Sequence, residues 1–182
     1  MTTTIDHSRP LRRKKGMTLV EVMIAITLCG VVLAVSTGSM LFLAKATKGL
    51  GNYQGMNMAS RFALEDFGSD ARMTKDVNYA NASSMSLEVY DSSGGLTTVI
   101  YRYDSSEGTF SRVIGSTTEV ILEDVESLSL VYYNLHGNAT TTELEIKEVQ
   151  LQAEMRRNVL SIKNTNEIIS ARFMMRNRSV SS

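Results

Sequence analysis

Cysteine, proline, tryptophan and histidine are scarce in this sequence. Its 182 residues include one Cys, one Pro, two His and no Trp. A single Cys excludes an internal disulfide framework and a zinc site made of several cysteines. The sequence also has no P-loop, dinucleotide-binding fingerprint, metal-binding His pair or serine-hydrolase elbow. We therefore expect no enzymatic activity and no cofactor or metal site.

The whole chain has no net charge, although its two parts are charged with opposite signs. The 19 basic and 19 acidic residues cancel, yet residues 1–16 hold five basic residues and one acidic residue. That segment carries +4 and the rest of the chain −4. An acidic body argues against nucleic acid as a general partner. A basic block before an apolar run is instead typical of a membrane-targeting segment, and here the block comprises Arg12, Arg13, Lys14 and Lys15.

One long hydrophobic run is what the sequence does have. It begins at Met17, and no residue from Val22 to Ala44 is charged. A helix needs roughly 20 apolar residues to cross the hydrocarbon core of a membrane, so this run is long enough. The run is apolar on all sides, which favours an embedded helix over one that lies on a surface. Because the basic block precedes it, we expect a cytoplasmic N-terminus and an extracytoplasmic body.

A cleavable secretory signal peptide is the first alternative interpretation of the run. Such a peptide has an apolar region of about 7–15 residues that ends at a small-residue cleavage site. Residues 34–36 resemble such a site weakly, but the apolar character continues to Leu43 and Glu21 follows the basic block closely. A lipoprotein site at Cys29 is disfavoured, since the large Leu28 precedes it. The sequence therefore favours a membrane helix that the mature protein retains.

Glu21 stands near the start of the run and needs an explanation. A carboxylate costs on the order of 2.5–3.5 kcal/mol at the centre of a membrane helix, and less near its end. One interpretation is local, because residues 18–21 fit a capping box formed by Thr18 and Glu21. The other is that Glu21 pairs with a cation, such as the amino terminus that a cut between Gly16 and Met17 would create. Such a pair at about 4 Å is worth roughly 4 kcal/mol at an effective dielectric of 20.

Residues 14–26 carry a family resemblance. Lys14-Lys15-Gly16 followed by MTLVEVMIAI resembles the processing site of type IV prepilins and of type II secretion pseudopilins. The resemblance implies that a membrane prepilin peptidase cuts after Gly16 and methylates the new amino terminus at Met17. It also implies that Glu21 pairs with the amino terminus of a neighbouring subunit and sets the register of a filament. The implied partners are this peptidase, other pilin or pseudopilin subunits, the membrane and an inner-membrane assembly platform.

Other features narrow the resemblance. Met17 stands where Phe is commonest, Gly38 stands where major pilins often have Pro, and a single Cys excludes the C-terminal disulfide loop of many major pilins. A softer resemblance over most of the chain is to the J-type secretion pseudopilin and the W-type pilus subunits. It rests on residues 62–77, residues 122–128, Tyr132-Tyr133 and Arg176-Asn177. The missing disulfide loop and this softer resemblance both favour a minor pilin or a pseudopilin.

The remaining sequence predicts an α+β body of the type IV pilin kind. Residues 45–78 continue the helix as an amphipathic segment, with a bend or frayed stretch near Gly49 and Gly51. An apolar stripe in this segment is expected to face the core: Met58, Ala59, Phe62, Leu64, Phe67, Ala71 and Met73. Alternating and β-branched residues then predict an antiparallel sheet with strands at 85–90, 97–103, 110–114, 118–122, 127–133, 143–154 and 168–175. A break near residues 147–148 is expected, because the apolar residues on its two sides are out of phase.

Acidic residues in the body have ordinary roles in this prediction. Asp66, Asp70 and Asp76 are expected on a helix surface, where they solvate it. Asp91 and Asp104 are expected in turns, where an Asp side chain bonds its own backbone.

The sequence thus divides into a leader at 1–16, an apolar helix at 17–44, its continuation at 45–78, a β-rich body at 79–176 and a polar tail at 177–182. The favoured function is a minor pilin or pseudopilin that acts in assembly or priming of a type IV pilus-like filament. The first alternative is a J-type pseudopilin in a periplasmic pseudopilus. The second is a single-pass anchored binding module that never polymerises. The expected location is the bacterial inner membrane, followed by a periplasmic or cell-surface filament.

Overall fold

The computed structural model describes residues 16–159 and 162–180. A long helix followed by antiparallel strands confirms the predicted α+β, type IV pilin-like architecture. The elements are α1 (Leu19–Met73), β1 (Thr74–Ala80), β2 (Ser84–Tyr90), β3 (Leu96–Asp104), β4 (Thr109–Ile114), β5 (Thr117–Leu122), β6 (Val125–Tyr133), a short 3₁₀ helix (Glu143–Glu145), β7 (Glu148–Val159) and β8 (Ile162–Met174). The chain forms two compact units, with the division in the sequence between Ala44 and Lys45.

Helix α1 ends earlier than predicted. It spans 55 residues and stays helical through Gly49 and Gly51, so the frayed stretch predicted there is not present. The predicted continuation of the helix to residue 78 is wrong, because strand β1 begins at Thr74. Thr74 donates its hydroxyl to the Asp70 carbonyl at 2.7 Å and pairs with Val89 of β2. Sheet pairing therefore overrides the helical pattern of residues 74–78.

Two antiparallel sheets form the unit that begins at Lys45. Strands β1 to β5 make a five-stranded sheet in sequence order, which confirms the predicted meander. Strands β6, β7 and β8 make a three-stranded sheet. The predicted break near residues 147–148 is present, since β7 starts at Glu148. The strand predicted from residue 143 is wrong at its start, because Glu143–Glu145 form the 3₁₀ helix. Strand β8 begins at Ile162, six residues before the predicted start of the last strand.

One face of the C-terminal part of α1 completes the core of this unit, as predicted. The Phe67 ring is fully buried, and its centroid lies 4.8 Å from that of Tyr101 and 5.6 Å from that of Phe173. The same helix face buries Met56, Ala63 and Ala71. The strands add the other large buried side chains, which include Met85, Leu87, Phe110, Leu122, Leu151 and Met155.

Three residues of the predicted core stripe lie on the surface instead. Met58, Phe62 and Met73 are 58%, 61% and 39% exposed. At 3.6 residues per turn, Met58 and Phe62 lie on the other side of the helix from Met56 and Ala63. Spacings of three and four residues group side chains into stripes, but they do not show which stripe faces the core. The prediction was therefore wrong for these three residues.

Asp70 and Asp76 also differ from the prediction, whereas Asp66 is exposed on the helix as expected. Asp70 is 7% exposed because it faces the meander, and Asp76 lies in strand β1. The turn prediction for Asp91 is confirmed, since its Oδ1 accepts the backbone N–H of Ser93 and of Gly95, each at 2.8 Å. The hydroxyl of Ser93 also donates to it and is the main cause that lowers the Asp91 pKa.

Arg178, which lies in the polar tail predicted at 177–182, is buried and anchored. Arg178 is 3% exposed and donates to the Ile146 carbonyl at 2.9 Å and to the Glu143 carbonyl. Its guanidinium lies 3.2 Å from the Asp76 carboxylate. Burial lowers the pKa of Arg178, and the nearby carboxylates of Asp76 and Glu143 oppose that change. The tail is thus tied to β1 and to the 3₁₀ helix.

Candidate processing and assembly site

The junction before helix α1 is accessible. Gly16, Met17 and Thr18 are exposed and not helical, and Met17 is 72% exposed. Exposed, non-helical backbone is the kind that proteases cut, and cleavage at the Gly16–Met17 bond stays a prediction. A Cβ built on Gly16 meets no atom within 4 Å among the described residues. Nothing in the described chain itself therefore requires Gly at this position.

The basic block lies outside the described residues. Its role before the Gly16–Met17 bond stays a prediction, and the residues concerned are Arg12, Arg13, Lys14 and Lys15.

Thr18 and Glu21 form the predicted capping box at the start of α1. The Thr18 carbonyl accepts the first helical N–H, that of Val22, at 3.2 Å. The Thr18 hydroxyl oxygen accepts the Glu21 N–H at 3.2 Å, and Glu21 Oε2 accepts the Thr18 N–H at 2.8 Å. Two orphan N–H groups of the first turn are satisfied in this way. The local interpretation of Glu21 is therefore confirmed in its geometry.

The capping box leaves half of the Glu21 carboxylate available. Oε2 also accepts the Thr18 hydroxyl at 3.0 Å, whereas Oε1 has no hydrogen-bond partner among the residues that the structure describes. A carboxylate oxygen has two lone pairs, and an ammonium group has three N–H donors. The geometry therefore lets Glu21 cap its own helix and accept a cation from outside at the same time.

The apolar segment that follows is exposed along its whole length in the isolated chain. Met23, Val31, Met40 and Phe42 are all more than 60% exposed. Within the described residues, α1 is the one helix that is long and apolar enough to cross a membrane, with a mean hydropathy of 2.4 over 18 residues. An apolar surface of this kind is stable in lipid or against other apolar helices rather than in water.

Three hydroxyl groups in the segment are satisfied by the helix itself. Thr27, Thr37 and Ser39 each donate to a carbonyl three or four residues earlier, at 2.8 to 3.0 Å. Such bonds remove the penalty of an unpaired hydroxyl in hydrocarbon. Added Cβ atoms at Gly30 and Gly38 would meet nothing within 4 Å, so both glycines are free to let another helix approach closely.

Asp70 lies at the centre of a buried polar cluster in the body, and its arrangement is structural. Asp70 Oδ2 accepts the Tyr101 hydroxyl and Arg112 Nε, each at 2.7 Å, and Oδ1 accepts Arg112 Nη2 at 3.0 Å. Burial raises the pKa of Tyr101 and the Asp70 carboxylate raises it further, while the hydrogen bond to Asp70 raises the pKa of Arg112. Every oxygen of the carboxylate is used, so the cluster ties α1 to β3 and β4.

Residues 16–159 and 162–180 offer no cluster of metal ligands. No group of three or more His, Cys, Asp or Glu side chains there is placed to hold a metal ion.

Sequence reasoning missed the outward position of Met58 and Phe62. The signal was present in the helical phase, because Phe67 and Ala71 fix one buried face and Met58 does not lie on it. A prediction that first places Phe67 in the core and then counts 3.6 residues per turn puts Met58 on the opposite side of the helix.

Comparison with known protein families identifies a motif at the N-terminus. Residues 11–37 match the model of the prokaryotic N-terminal methylation motif. The matched range covers the basic block, the Gly16–Met17 bond, Glu21 and the apolar run as far as Thr37. No curated protein matches the chain. The chain therefore carries the N-terminal methylation motif, the class III signal peptide of type IV pilins and pseudopilins, in front of a type IV pilin-like α+β architecture.

Proposed function

We propose that this protein is a minor subunit of a type IV pilus-like filament, made as a precursor that is cut between Gly16 and Met17. The observation that carries the proposal is the methylation motif at residues 11–37, which leads directly into an apolar helix with its surface exposed. A soluble enzyme has no use for such a helix, whereas a subunit stored in a membrane and later built into a filament needs one.

The mechanism follows from the chemistry of the new amino terminus. Cleavage after Gly16 gives Met17 an ammonium group four residues before Glu21, and methylation keeps its charge. In a filament, the Met17 terminus of one subunit pairs with Glu21 of a neighbour, and the free Oε1 of Glu21 is available for this contact. A pair at about 4 Å is worth roughly 4 kcal/mol at an effective dielectric of 20, which offsets the burial of the carboxylate.

Location and partners follow from the orientation of the precursor. The basic leader holds the N-terminus in the cytoplasm, and the β-rich body lies outside the inner membrane. There the subunit meets prepilin peptidase, an assembly platform and other pilin-like subunits. In the filament the apolar helices bury each other and the bodies face outward.

A minor role is supported by two features of the sequence. The single Cys leaves no C-terminal disulfide loop, and the body resembles the J-type and W-type group. A J-type pseudopilin of a type II secretion system shares both features and is the second candidate. Deletion of the gene separates the two, because a pilus subunit is needed for surface filaments and a pseudopilin for the release of secreted proteins.

The first test is the intact mass of the protein from native membranes. We expect a chain that starts at Met17 and carries one added methyl group on its amino terminus. Gly16→Val should leave the leader attached, while the described fold stays intact because the added side chain meets no neighbour. A cut near residue 36, or an uncut wild-type chain, contradicts the proposal and favours a secreted protein or an anchored module respectively.

The second test concerns Glu21 and measures incorporation into filaments that have been sheared from cells. Glu21→Ala should be processed and inserted normally but incorporated at least tenfold less, since loss of a few kcal/mol of pairing exceeds a factor of ten. Glu21→Gln is the matched control, because it can still bond the Thr18 N–H but carries no charge. Normal incorporation of both variants would refute the pairing role.

A further inference from the structure

A cavity of about 600 Å³ lies in the body, between strand β1, the end of β2, the 3₁₀ helix and the tail at residues 177–179. Cavities that hold small ligands have volumes of about 300–1,000 Å³, and a few polar groups in their lining orient the ligand. The lining includes no residue of the Gly16–Met17 junction or of the apolar segment. Processing and helix contacts in a filament therefore do not explain this cavity.

Arg178 holds three walls of the cavity together. Its guanidinium donates to the Ile146 and Glu143 carbonyls and lies 3.2 Å from the Asp76 carboxylate, so it ties the tail to the 3₁₀ helix and to β1. The Lys147 ammonium donates to the Arg178 carbonyl and so fixes the backbone of the tail as well. Walls that are fixed before a ligand arrives lower the entropic cost of binding.

The same guanidinium lacks one hydrogen-bond partner. Arg178 is 3% exposed, and its Nε is buried with no partner among the described residues. An unpaired buried donor costs stability, and native structures contain few of them. Because such departures concentrate at functional sites, this donor singles out the cavity as a candidate binding site.

The charges around the cavity cancel. In the part of the chain that the structure describes, Lys75 and Arg178 are the cations of the lining, and Asp76 and Glu145 are its anions. An ionic ligand would meet as many like charges as opposite charges. The lining therefore favours a neutral ligand whose own groups both donate and accept hydrogen bonds.

Several polar groups of the lining are available to such a ligand. The hydroxyl groups of Tyr90, Thr142 and Ser179 form no hydrogen bond with any described residue, so each is able to donate and to accept. Glu145 Oε2 accepts a threonine hydroxyl at 2.9 Å, which leaves Oε1 as a further acceptor. The Tyr90 ring and the Leu144 side chain add apolar surface to the same lining.

We propose that this cavity binds a neutral sugar unit of a glycan chain. The hydroxyl groups of a sugar ring both donate and accept hydrogen bonds, and its C–H face is apolar, so one ring matches each class of group in the lining. The cavity opens to solvent beside Leu144, which is 76% exposed, so the rest of the glycan has room to continue. The proposal goes beyond the proposed function and does not depend on it, because the lining lies wholly in the unit that begins at Lys45.

Saturation-transfer-difference NMR tests binding to the full chain, held in a detergent that has no sugar headgroup. The probes are the methyl glycosides of maltose, cellobiose, lactose and N,N′-diacetylchitobiose, in which the reducing end is blocked as it is within a glycan. We expect magnetisation transfer to at least one of them, and weaker transfer to glucuronate and L-glutamate as charged controls. Transfer to none of the four probes, or stronger transfer to a charged control, would overturn the proposal.

Free monosaccharides separate a glycan unit from a free sugar. Glucose, galactose and N-acetylglucosamine should bind more weakly than the best of the four glycosides, because each makes fewer contacts with the lining. Tighter binding of a free monosaccharide would contradict the assignment to a glycan chain.

Tyr90→Phe and Thr142→Ala test whether the sugar lies in this cavity. Each variant removes a hydroxyl that bonds no described residue, so the thermal unfolding midpoint should stay unchanged. The dissociation constant of the bound glycoside should rise about two- to tenfold in each, because one hydrogen bond to the ligand is lost. Tyr53→Phe is the matched control, since Tyr53 is exposed on α1 and does not line the cavity, and its dissociation constant should equal that of the wild type.

Equal affinity of the wild type, Tyr90→Phe and Thr142→Ala would place the sugar elsewhere and overturn the proposal, and so would an equal loss in Tyr53→Phe. Processing at Met17 and dependence on Glu21 are separate measurements. A chain that is cut and enters filaments but binds none of the probes overturns this proposal and leaves the proposed function standing. A chain that binds a glycoside in the cavity but is never cut does the reverse.

Discussion

At Asp70, three donors converge on one buried carboxylate. The donors come from Tyr101 on β3 and Arg112 on β4, so a single side chain of α1 holds two strands of the meander. A buried charge that keeps all its hydrogen bonds is tolerated, whereas one that loses a partner is strongly destabilising. This residue therefore stabilises the position of the helix on the sheet more than it contributes to the core itself.

Tyr101→Phe tests this arrangement through pH. Burial and the Asp70 charge raise the pKa of Tyr101, so the folded protein holds the phenol proton more tightly than the unfolded chain. The stability that this contributes is complete below the unfolded pKa of about 10 and is lost as pH rises above it.

We therefore expect the free energy of unfolding of the wild type, in detergent, to fall above about pH 10, and that of Tyr101→Phe to fall less steeply. A residual slope should remain, because burial also raises the pKa of Tyr132. At neutral pH the variant should be about 1.5–3 kcal/mol less stable, since a hydrogen bond to a charged group is lost. Urea unfolding followed by near-ultraviolet circular dichroism measures both, and parallel curves at high pH would contradict the assignment.

At the scale of elements, α1 meets β8 through a glycine. A Cβ on Gly68 would lie 2.6 Å from Cε1 of Phe173, which is closer than real contacts allow. Phe173 is itself held against Phe67, with ring centroids 5.6 Å apart, so it has little room to give way. The absence of a side chain at residue 68 is what lets the helix lie this close to the strand.

Gly68→Ala should lower the free energy of unfolding by about 1–3 kcal/mol, because overpacking outweighs the gain in helix propensity of up to about 1 kcal/mol. Gly51→Ala is the matched control in the same helix, where a Cβ meets nothing within 4 Å. It should raise stability by about 0.5–1 kcal/mol. Thermal unfolding of the two variants in detergent gives the comparison, and equal shifts would show that the contact with Phe173 is not restrictive.

Elements were predictable where one local pattern decided them. The turns at Asp91 and Asp104 and the break before Glu148 follow from neighbouring residues, and the structure has them. Strand β1 was not found, because its residues continue a helical pattern and only pairing with β2 makes them extended. The inward face of α1 was assigned wrongly in part for the same reason, since the sheet that fixes it lies far along the chain.

At the scale of the whole molecule, the structure of the first unit could be predicted from the sequence more completely than that of the second. The residues around the Gly16–Met17 bond act through a short linear pattern, so the motif, the capping box and the apolar run could all be predicted locally. The unit from Lys45 onward depends on pairs that are distant in sequence, such as Asp70 with Arg112 and Arg178 with Ile146. Such pairs leave no periodic signal, and the burial of Asp70 and Arg178 was therefore not predicted.

The hydroxyl groups of the apolar segment affect which surroundings this segment tolerates. Thr27, Thr37 and Ser39 bring their own acceptors, so these three hydroxyl groups need no new partner either in lipid or against other apolar helices. Between lipid and a surface of other apolar helices, only apolar contacts differ at these positions, and those are similar in strength. These positions are therefore equally compatible with a bilayer and with a bundle of apolar helices.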